Sequence, residues 1–291
     1  MYKGSIVALV TPMLGNDDVD YPALEALIDF HVREGTSALL IAGTTGESAT
    51  LSPEEHCDLL ARSYEIINQR LPMIAGTGAN STAEAIQLTE CAKKVRAEAA
   101  LLVTPYYNKP TQKGLYLHYR AIAEAVDIPQ ILYNVPGRTA CDMVAETVAQ
   151  LAKISNIVGI KESTGSMERL ADIKRQVSED FALLTGEDAS ACDFILQGGH
   201  GAVSVTANVV PGMMAQMCQL AADGDEAGAR EADAKIAELH HLLFIESNPI
   251  PVKWALSKMG YGEPHMRLPM TTLADEYHET LRQALNASGA L

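Results

Sequence analysis

Eight short apolar runs recur along the first 205 residues of the chain, and each ends in a polar or glycine-rich cluster. They follow one another at intervals of roughly 20 to 35 residues, the length of one strand plus one helix. Because they lack alternation of apolar and polar residues, we expect strands of a parallel sheet that is covered on both faces. The runs span residues 5–10, 38–42, 73–75, 101–103, 130–132, 157–160, 181–184 and 202–205.

The segments between the runs have the pattern of amphipathic helices. Residues 21–32 place four aliphatic side chains at helical spacing, and residues 52–55 read as a capping box with proline at the first helical position. Eight strand–helix units in about 210 residues predict an α/β fold, a closed (β/α)8 TIM barrel. A doubly wound sheet is disfavoured, because residues 11–13 offer no glycine-rich turn of G-x-G-x-x-G type.

The rest of the chain has no strand pattern and predicts a helical C-terminal extension. We expect a catalytic barrel over residues 1–210 and the extension over 211–291. No linker rich in serine, glycine or charge separates them, so the extension should pack on the barrel. The predicted helices cover residues 211–223, 226–244, 251–259 and 273–287.

Composition excludes several classes of function. The formal net charge of −15 disfavours binding to nucleic acid or to an anionic membrane surface, and no apolar run is long enough for a membrane span. The N-terminus has one lysine and an apolar run that Pro12 soon interrupts, so we expect no signal peptide. The five cysteines form no C-x-x-C pair and no zinc spacing, which predicts free thiols in a reducing cytoplasm. They are Cys57, Cys91, Cys141, Cys192 and Cys218.

A lysine, Lys161, follows directly after the sixth apolar run. Burial at the end of such a strand would favour the neutral amine, which is the nucleophilic form. A structural salt bridge is the alternative role for this residue on its own.

In a barrel of this kind, the polar clusters after the strands meet at one rim. A phenol, Tyr133, would lie one strand from Lys161, and the hydroxyls of Thr44 and Thr45 would lie on a glycine-flanked loop. An amine that forms an imine with a ketone, a phenol that carries protons and loop amides that bind a carboxylate together predict carbonyl chemistry.

Four motifs carry a resemblance to a known family. They are GTTGES at 43–48, TPYYNKP at 104–110, YNVPGRT at 133–139 and GIKEST at 159–164. With these motifs in this order, the chain resembles the dihydrodipicolinate synthases, also called 4-hydroxy-tetrahydrodipicolinate synthases, of the pyruvate-dependent class I aldolases. The resemblance runs almost the full length, from residues 4–13 through NPIPVKWA at 248–255 to RLPM at 267–270.

The resemblance implies a catalytic role for four residues. Lys161 would form a Schiff base with pyruvate, and the resulting enamine would attack L-aspartate 4-semialdehyde. Tyr133 would carry protons in a relay with Thr44 and Tyr107. Tyr107 would cross a tight dimer interface into the neighbouring subunit's site, and the family usually forms a tetramer of two such dimers.

The same resemblance implies the residues that bind substrate. Thr44 and Thr45 would hold the pyruvate carboxylate, and Arg138 would hold that of the semialdehyde. Gly186 and the carbonyl of Val203 would line the pocket near the lysine; relatives often carry isoleucine at position 203. We expect no metal and no organic cofactor, because the lysine imine is itself the electron sink.

Many bacterial members of the family bind L-lysine, the pathway product, in a cleft at the dimer interface. Pro53 stands where lysine-sensitive relatives often carry histidine, so weak or moderate inhibition is expected. Glu84 has an alternative role as the acid of a capping box that starts at Ser81. The matching positions in this chain are Ser48, Ala49, His56, Asn80, Glu84 and Tyr106.

The sequence also leaves purely structural roles open for these residues. Arg138 could pair with surface acids, Tyr106 and Tyr107 could pack at a subunit contact, and the two threonines could be turn residues. The alternative enzymes are N-acetylneuraminate lyase and other pyruvate-dependent keto-acid aldolases, which share the lysine, the tyrosine and the loop. A non-catalytic barrel that binds a keto acid is the more distant alternative.

Overall fold

The computed structural model describes residues 2–291, and in it eight parallel strands close into a barrel in chain order. The first and last strands pair with Ile6 opposite Val203, which completes the ring. The prediction of a (β/α)8 barrel is therefore confirmed. The strands are β1 (Gly4–Ala8), β2 (Ala38–Ile41), β3 (Met73–Gly76), β4 (Ala99–Val103), β5 (Gln130–Asn134), β6 (Ile157–Glu162), β7 (Ala182–Thr185) and β8 (Gly201–Ser204).

Helices follow the strands, and a further group covers the C-terminal part of the chain. The longest has 15 residues, and none within residues 2–291 has both the length and the apolar character that crossing a membrane requires. The helices are α1 (Tyr21–Arg33), α2 (Pro53–Ile67), α3 (Thr82–Lys94), α4 (Gln112–Ala125), α5 (Pro136–Thr139), α6 (Ala145–Leu151), α7 (Met167–Lys174), α8 (Ala191–Leu196), α9 (Pro211–Ala222), α10 (Glu226–Ala234), α11 (Ala237–Leu242), α12 (Ile250–Lys258) and α13 (Asp275–Ala287).

Local sequence signals set where the helices begin. At the start of α2, Ser52 Oγ accepts from the backbone N–H of Glu55 at 3.2 Å, and Glu55 Oε2 accepts from the backbone N–H of Ser52 at 2.9 Å. This is the predicted capping box, and it satisfies two N–H groups that a helix start leaves free. At α3, Ser81 accepts from the backbone of Glu84 at 3.5 Å.

The barrel interior is filled by alternate residues of the strands. Ile6, Leu40, Ile74, Leu101 and Ile131 form an inner cluster, whereas the residues between them pack against the surrounding helices. Tyr133 belongs to the inner cluster. Its side chain therefore points into the barrel at the end where a catalytic centre is expected.

The single helix predicted over residues 226–244 is wrong, because the chain turns at residues 235–236 between α10 and α11. Ile236 is buried at this turn, and its carbonyl accepts from the backbone N–H of Leu239 at 3.0 Å. Burial of Ile236 in the main core overrides the continuous helical pattern. Helix α9 packs against β1 and α8, so the extension touches the barrel where it starts, and the division at residue 210 stays a prediction.

A disulfide joins Cys57 on α2 to Cys91 on α3, with 5.7 Å between their Cα atoms. The prediction of five free thiols is therefore wrong for this pair. The two cysteines are 34 residues apart, which is one strand–helix unit, so adjacent helices of the barrel place them side by side. Cys141, Cys192 and Cys218 are free and buried.

Candidate active site

Lys161 and Tyr133 are direct neighbours on adjacent strands. Their Cα atoms pair in the register of β5 and β6, so both side chains point to the same face of the sheet. The Nζ atom of Lys161 lies 4.2 Å from the centroid of the Tyr133 ring. Lys161 is 5% exposed and makes no ion pair within residues 2–291. The geometry does not support a structural salt bridge and leaves the amine facing a phenol.

These two residues line a cavity of about 260 Å³ at the C-terminal ends of the strands. We call it the Lys161 cavity. Six of the eight predicted catalytic and substrate-binding residues line it: Lys161, Tyr133, Thr44, Thr45, Arg138 and Gly186. The remaining wall includes Ser48, Val135, Ser163, Glu187, Val205, Phe244 and Asn248.

The other two predicted catalytic and substrate-binding residues, Val203 and Tyr107, do not line this cavity. Val203 lies on β8 in the interior cluster with Leu184, and Val205 takes the place on the wall. Tyr107 lies on the loop after β4 with a φ of +73° and a side chain that is 89% exposed. A tyrosine side chain that is this exposed in its own chain is free to contact a second chain.

Gly186 leaves space for the lysine. A Cβ atom at this position would lie 2.0 Å from Ser163 Oγ and 2.3 Å from Lys161 Cε. Non-bonded atoms essentially never approach so closely, so any side chain here would displace the amine-bearing carbon. The Lys161 side chain therefore lies between Tyr133 and Gly186.

The loop over residues 43–47 is a tight turn that presents two threonines to the cavity. The carbonyl of Gly43 accepts from the backbone N–H groups of Gly46 at 3.1 Å and Ser48 at 3.3 Å. Glu47 has a φ of +57°, a left-handed conformation that non-glycine residues rarely adopt. The protein must hold this turn in place by contacts from elsewhere.

Those contacts come from α12, through an ion pair that sequence reasoning missed. Lys253 Nζ lies 2.5 Å from Glu47 Oε1, and the two side chains are 1% and 2% exposed. Glu47 Oε2 also accepts from the backbone N–H of Arg267 at 3.2 Å. Burial lowers the pKa of Lys253, and the Glu47 carboxylate opposes that change. The available signal was a lysine within the otherwise apolar start of α12, residues 250–256.

Asn248 is a second residue that sequence reasoning missed. Its Nδ2 donates to Thr45 Oγ1 at 2.9 Å, and its backbone carbonyl accepts from Arg138 Nη2 at 3.3 Å. The Oδ1 atom of Asn248 is buried without a partner, as is Ser163 Oγ. The motif at residues 248–255 contributed to the resemblance, but no residue of it had been assigned a role.

Hydrogen bonds and an ion pair connect the ends of β5 and β6 on the side of the sheet that faces away from the cavity. Asn134 Nδ2 donates to Glu162 Oε2 at 3.0 Å and to Asp142 Oδ1 at 2.8 Å, and Arg169 pairs with Asp142 at 2.8 Å. Burial raises the pKa of Glu162, whereas the hydrogen bond from Arg169 lowers the pKa of Asp142. Because Glu162 and Asn134 follow Lys161 and Tyr133 directly, this network holds the strand ends that carry the amine and the phenol.

A second cavity of about 290 Å³ adjoins the first and shares Thr44, Ser48 and Arg138 with it. We call it the His56 cavity. Five of the six predicted effector residues line it: Ser48, Ala49, His56, Glu84 and Tyr106. The sixth, Asn80, donates from Nδ2 to the carbonyl of Tyr106 at 3.2 Å and so holds the Tyr106 loop.

His56 lies in the wall of this cavity with one ring nitrogen engaged. Its Nε2 lies 2.8 Å from the carbonyl of Gly76, while Nδ1 is buried without a partner. Burial lowers the pKa of His56, and the bond to Gly76 partly opposes this. Pro53 is the first residue of α2 and does not line the cavity, in agreement with its role as a helix start.

Comparison with known proteins decides the family. A family model described as the Dihydrodipicolinate synthetase family matches residues 1–288. The chain belongs to this family. A 4-hydroxy-tetrahydrodipicolinate synthase from Methylococcus capsulatus is 57% identical over 291 residues, with both chains covered completely.

Solved structures of dihydrodipicolinate synthases have the same fold throughout. The chloride-inhibited enzyme from Acinetobacter baumannii, in complex with pyruvate, superposes with a TM-score of 0.98 at 52% identity and full coverage of both chains. An enzyme from Cyanidioschyzon merolae with lysine bound gives a TM-score of 0.96 at 40% identity, over 100% of this chain and 99% of that one.

Proposed function

We propose that the chain condenses pyruvate with L-aspartate 4-semialdehyde, the reaction of a 4-hydroxy-tetrahydrodipicolinate synthase in diaminopimelate and lysine biosynthesis. The observation that carries the proposal is the Lys161 amine, 4.2 Å from the Tyr133 ring inside a cavity of about 260 Å³. Relatives at 57% and 54% identity over the whole chain bear this enzyme's name.

The reaction would proceed through a lysine imine. The Lys161 amine adds to the ketone carbon of pyruvate and water leaves, which gives an imine that withdraws electrons from the methyl group. Loss of a methyl proton gives an enamine, and the enamine carbon attacks the aldehyde. The amino group of the second substrate then adds to the imine carbon, closes the ring and releases Lys161.

Proton transfer and charge binding would fall to the surrounding residues. The Tyr133 hydroxyl would carry protons, with Thr44 and Tyr107 as its relay. The Thr44 and Thr45 groups would bind the pyruvate carboxylate, and Arg138 would bind that of the semialdehyde. Gly186 would shape the pocket beside the imine.

A product assay tests this function. Pyruvate and L-aspartate 4-semialdehyde should be consumed together by the wild type and not by Lys161→Ala, with the product followed by mass spectrometry. Cleavage of N-acetylneuraminate in place of that condensation would assign the chain to another pyruvate aldolase. Absence of both activities in a folded protein would leave only keto-acid binding.

We propose that the working form is a homotetramer built as a dimer of dimers. The exposed Tyr107 supports the dimer within this assembly, because a catalytic tyrosine that its own chain leaves outside the cavity needs a neighbouring site to serve. Sedimentation of the purified protein should give a mass of four chains. A monomer that keeps full activity would remove this part of the proposal.

We propose L-lysine as a feedback inhibitor that binds in the His56 cavity. Glu84 would bind an ammonium group there, and the shared Thr44 and Arg138 walls would pass the effect to the Lys161 cavity. Inhibition should be weak or moderate, because Pro53, which lies outside the wall of this cavity, stands where lysine-sensitive relatives often carry histidine. Titration to millimolar lysine with no loss of activity would remove this proposal and leave the catalytic one intact.

We propose that the enzyme works in the cytoplasm, and the disulfide gives that location a direct test. In a reducing compartment Cys57 and Cys91 would be held as thiols. A membrane-permeant alkylating reagent, added to intact cells before lysis and followed by denaturation in the same reagent, should label both cysteines. Protection of both cysteines from this labelling would argue for an oxidising compartment.

A further inference from the structure

Asn248 contacts both of the side chains to which substrate carboxylates are assigned. Its side-chain Nδ2 donates to the Thr45 hydroxyl at 2.9 Å, and its backbone carbonyl accepts from the Arg138 guanidinium at 3.3 Å. Asn248 is 5% exposed and lines the Lys161 cavity. One residue of the C-terminal part of the chain thus connects the pyruvate end of the site with the semialdehyde end.

The role of Thr45 fixes which way the Asn248 amide faces. A threonine hydroxyl has one proton, and if Thr45 donates it to a carboxylate, its oxygen must accept from the neighbouring amide. The amide nitrogen of Asn248 therefore faces Thr45, as the 2.9 Å bond has it. That orientation leaves the amide oxygen, Oδ1, buried and without a partner among residues 2–291.

Asn248 thus carries a buried acceptor without a partner and, through its backbone carbonyl, also binds a guanidinium, a pairing that matches the chemistry of an α-amino acid. Such a molecule carries a carboxylate and an ammonium group on one carbon, so a donor for the first and an acceptor for the second must be close together. We propose that Asn248 Oδ1 accepts from the α-ammonium group of the second substrate while Arg138 binds its carboxylate. This inference rests on the proposed function and names the residue that recognises the amino group.

Two other polar groups on the cavity wall are less suited to this task. Ser163 Oγ is also unpartnered, but it lies beside Lys161 across Gly186, at the imine end of the cavity. Glu187 lines the cavity, and burial next to Asp188 raises the pKa of its carboxyl. Of these three residues only Asn248 bonds to Arg138, through its backbone carbonyl, so the Oδ1 acceptor belongs to the residue that adjoins the carboxylate site.

The test compares two aldehydes that differ by the amino group. L-aspartate 4-semialdehyde is measured as the substrate, and 4-oxobutanoate, the same aldehyde acid without the amine, as a competing inhibitor. In Asn248→Ala the KM for the semialdehyde should rise about tenfold or more, as for loss of a hydrogen bond to a charged group. The inhibition constant of 4-oxobutanoate should stay unchanged. Asn248→Asp keeps an acceptor oxygen and should therefore still bind the semialdehyde, which carries the amino group, more tightly than 4-oxobutanoate, which lacks it.

Several outcomes would overturn the inference. If Asn248→Ala weakens the binding of both aldehydes equally, the Asn248 side chain only supports Thr45 and does not recognise the amino group. If Asn248→Asp no longer prefers the semialdehyde over 4-oxobutanoate, another residue accepts from the amino group. The same conclusion follows if Glu187→Gln loses this preference while the Asn248 variants keep it. Borohydride trapping of the pyruvate imine on the wild type and on each variant is the control. If the proposed function is wrong, the wild type also forms no adduct, whereas an adduct on every protein leaves only the role of Asn248 in question.

Discussion

Gly186 is the residue whose replacement should reach the lysine most directly. In Gly186→Ala the new methyl group would meet Lys161 Cε at 2.3 Å and Ser163 Oγ at 2.0 Å, so the amine must leave its place beside Tyr133. We expect kcat to fall by about 100-fold, as for a small misplacement of a reacting group. Gly15→Ala is the matched control, because its methyl group would meet nothing closer than 3.7 Å. Steady-state kinetics of both variants check this, and normal kcat in Gly186→Ala would contradict it.

Two buried histidines should make the fold sensitive to acid. Burial lowers the pKa of His31 to about 3 and that of His118 to about 4, from an ordinary value of 6.5. Between the ordinary and the lowered pKa the unfolded chain takes up protons that the folded chain refuses, so stability is lost as the pH falls below about 6.5. The loss is at most about 1.4 kcal/mol per pH unit for each histidine.

Thermal unfolding of the wild type and of His31→Gln, followed from pH 7 down to about 4, measures this effect. The melting temperature of the wild type should fall more steeply with acid than that of the variant, because glutamine takes up no proton. Parallel pH profiles would show that His31 does not contribute to acid sensitivity.

At the scale of elements, the disulfide joins two helices that also form the His56 cavity. Cys57 follows His56 on α2, and Cys91 lies on α3, which carries Glu84. A cross-link over 34 residues should stabilise the fold by about 3 to 4 kcal/mol through the unfolded chain. Dithiothreitol should therefore lower the melting temperature of the wild type and have no effect on the double variant Cys57→Ser, Cys91→Ser. An equal response of both proteins would mean that the bond does not stabilise the fold.

The elements that local sequence determines were predicted correctly, and those that depend on distant packing were not. The eight apolar runs became the eight strands, and the capping box at Ser52 starts α2 as expected. The break between α10 and α11 and the Cys57–Cys91 bond follow from which helices lie side by side, which periodicity along one segment does not encode.

The same distinction holds within the site. Lys161, Tyr133, Arg138 and the two threonines were found from motifs at strand ends, where the fold determines their position. Asn248 and Lys253 were missed because their partners Thr45 and Glu47 lie more than 200 residues away in the chain. Only the path of the C-terminal helices over the barrel brings these residues together.

At the scale of the whole molecule, the exposed Tyr107 predicts that activity depends on pairs of chains. The variants Lys161→Ala and Tyr107→Phe should each have low catalytic activity when expressed alone. In a mixed dimer, the site that keeps Lys161 receives an intact Tyr107 from the other chain, so coexpression of the two variants should restore activity. The mixed dimer is purified through a different tag on each chain, and its activity is compared with that of the two single variants. Activity no greater than the sum of theirs would place Tyr107 in its own chain's site.

The central claim is that Lys161 forms an imine with pyruvate. Intact mass after borohydride reduction with pyruvate tests it on the wild type and on Lys161→Ala. We expect one reduced pyruvate adduct per wild-type chain, located at Lys161 by peptide mapping, and none on the variant. A wild type without adduct, or an adduct of equal yield on Lys161→Ala, would contradict the claim.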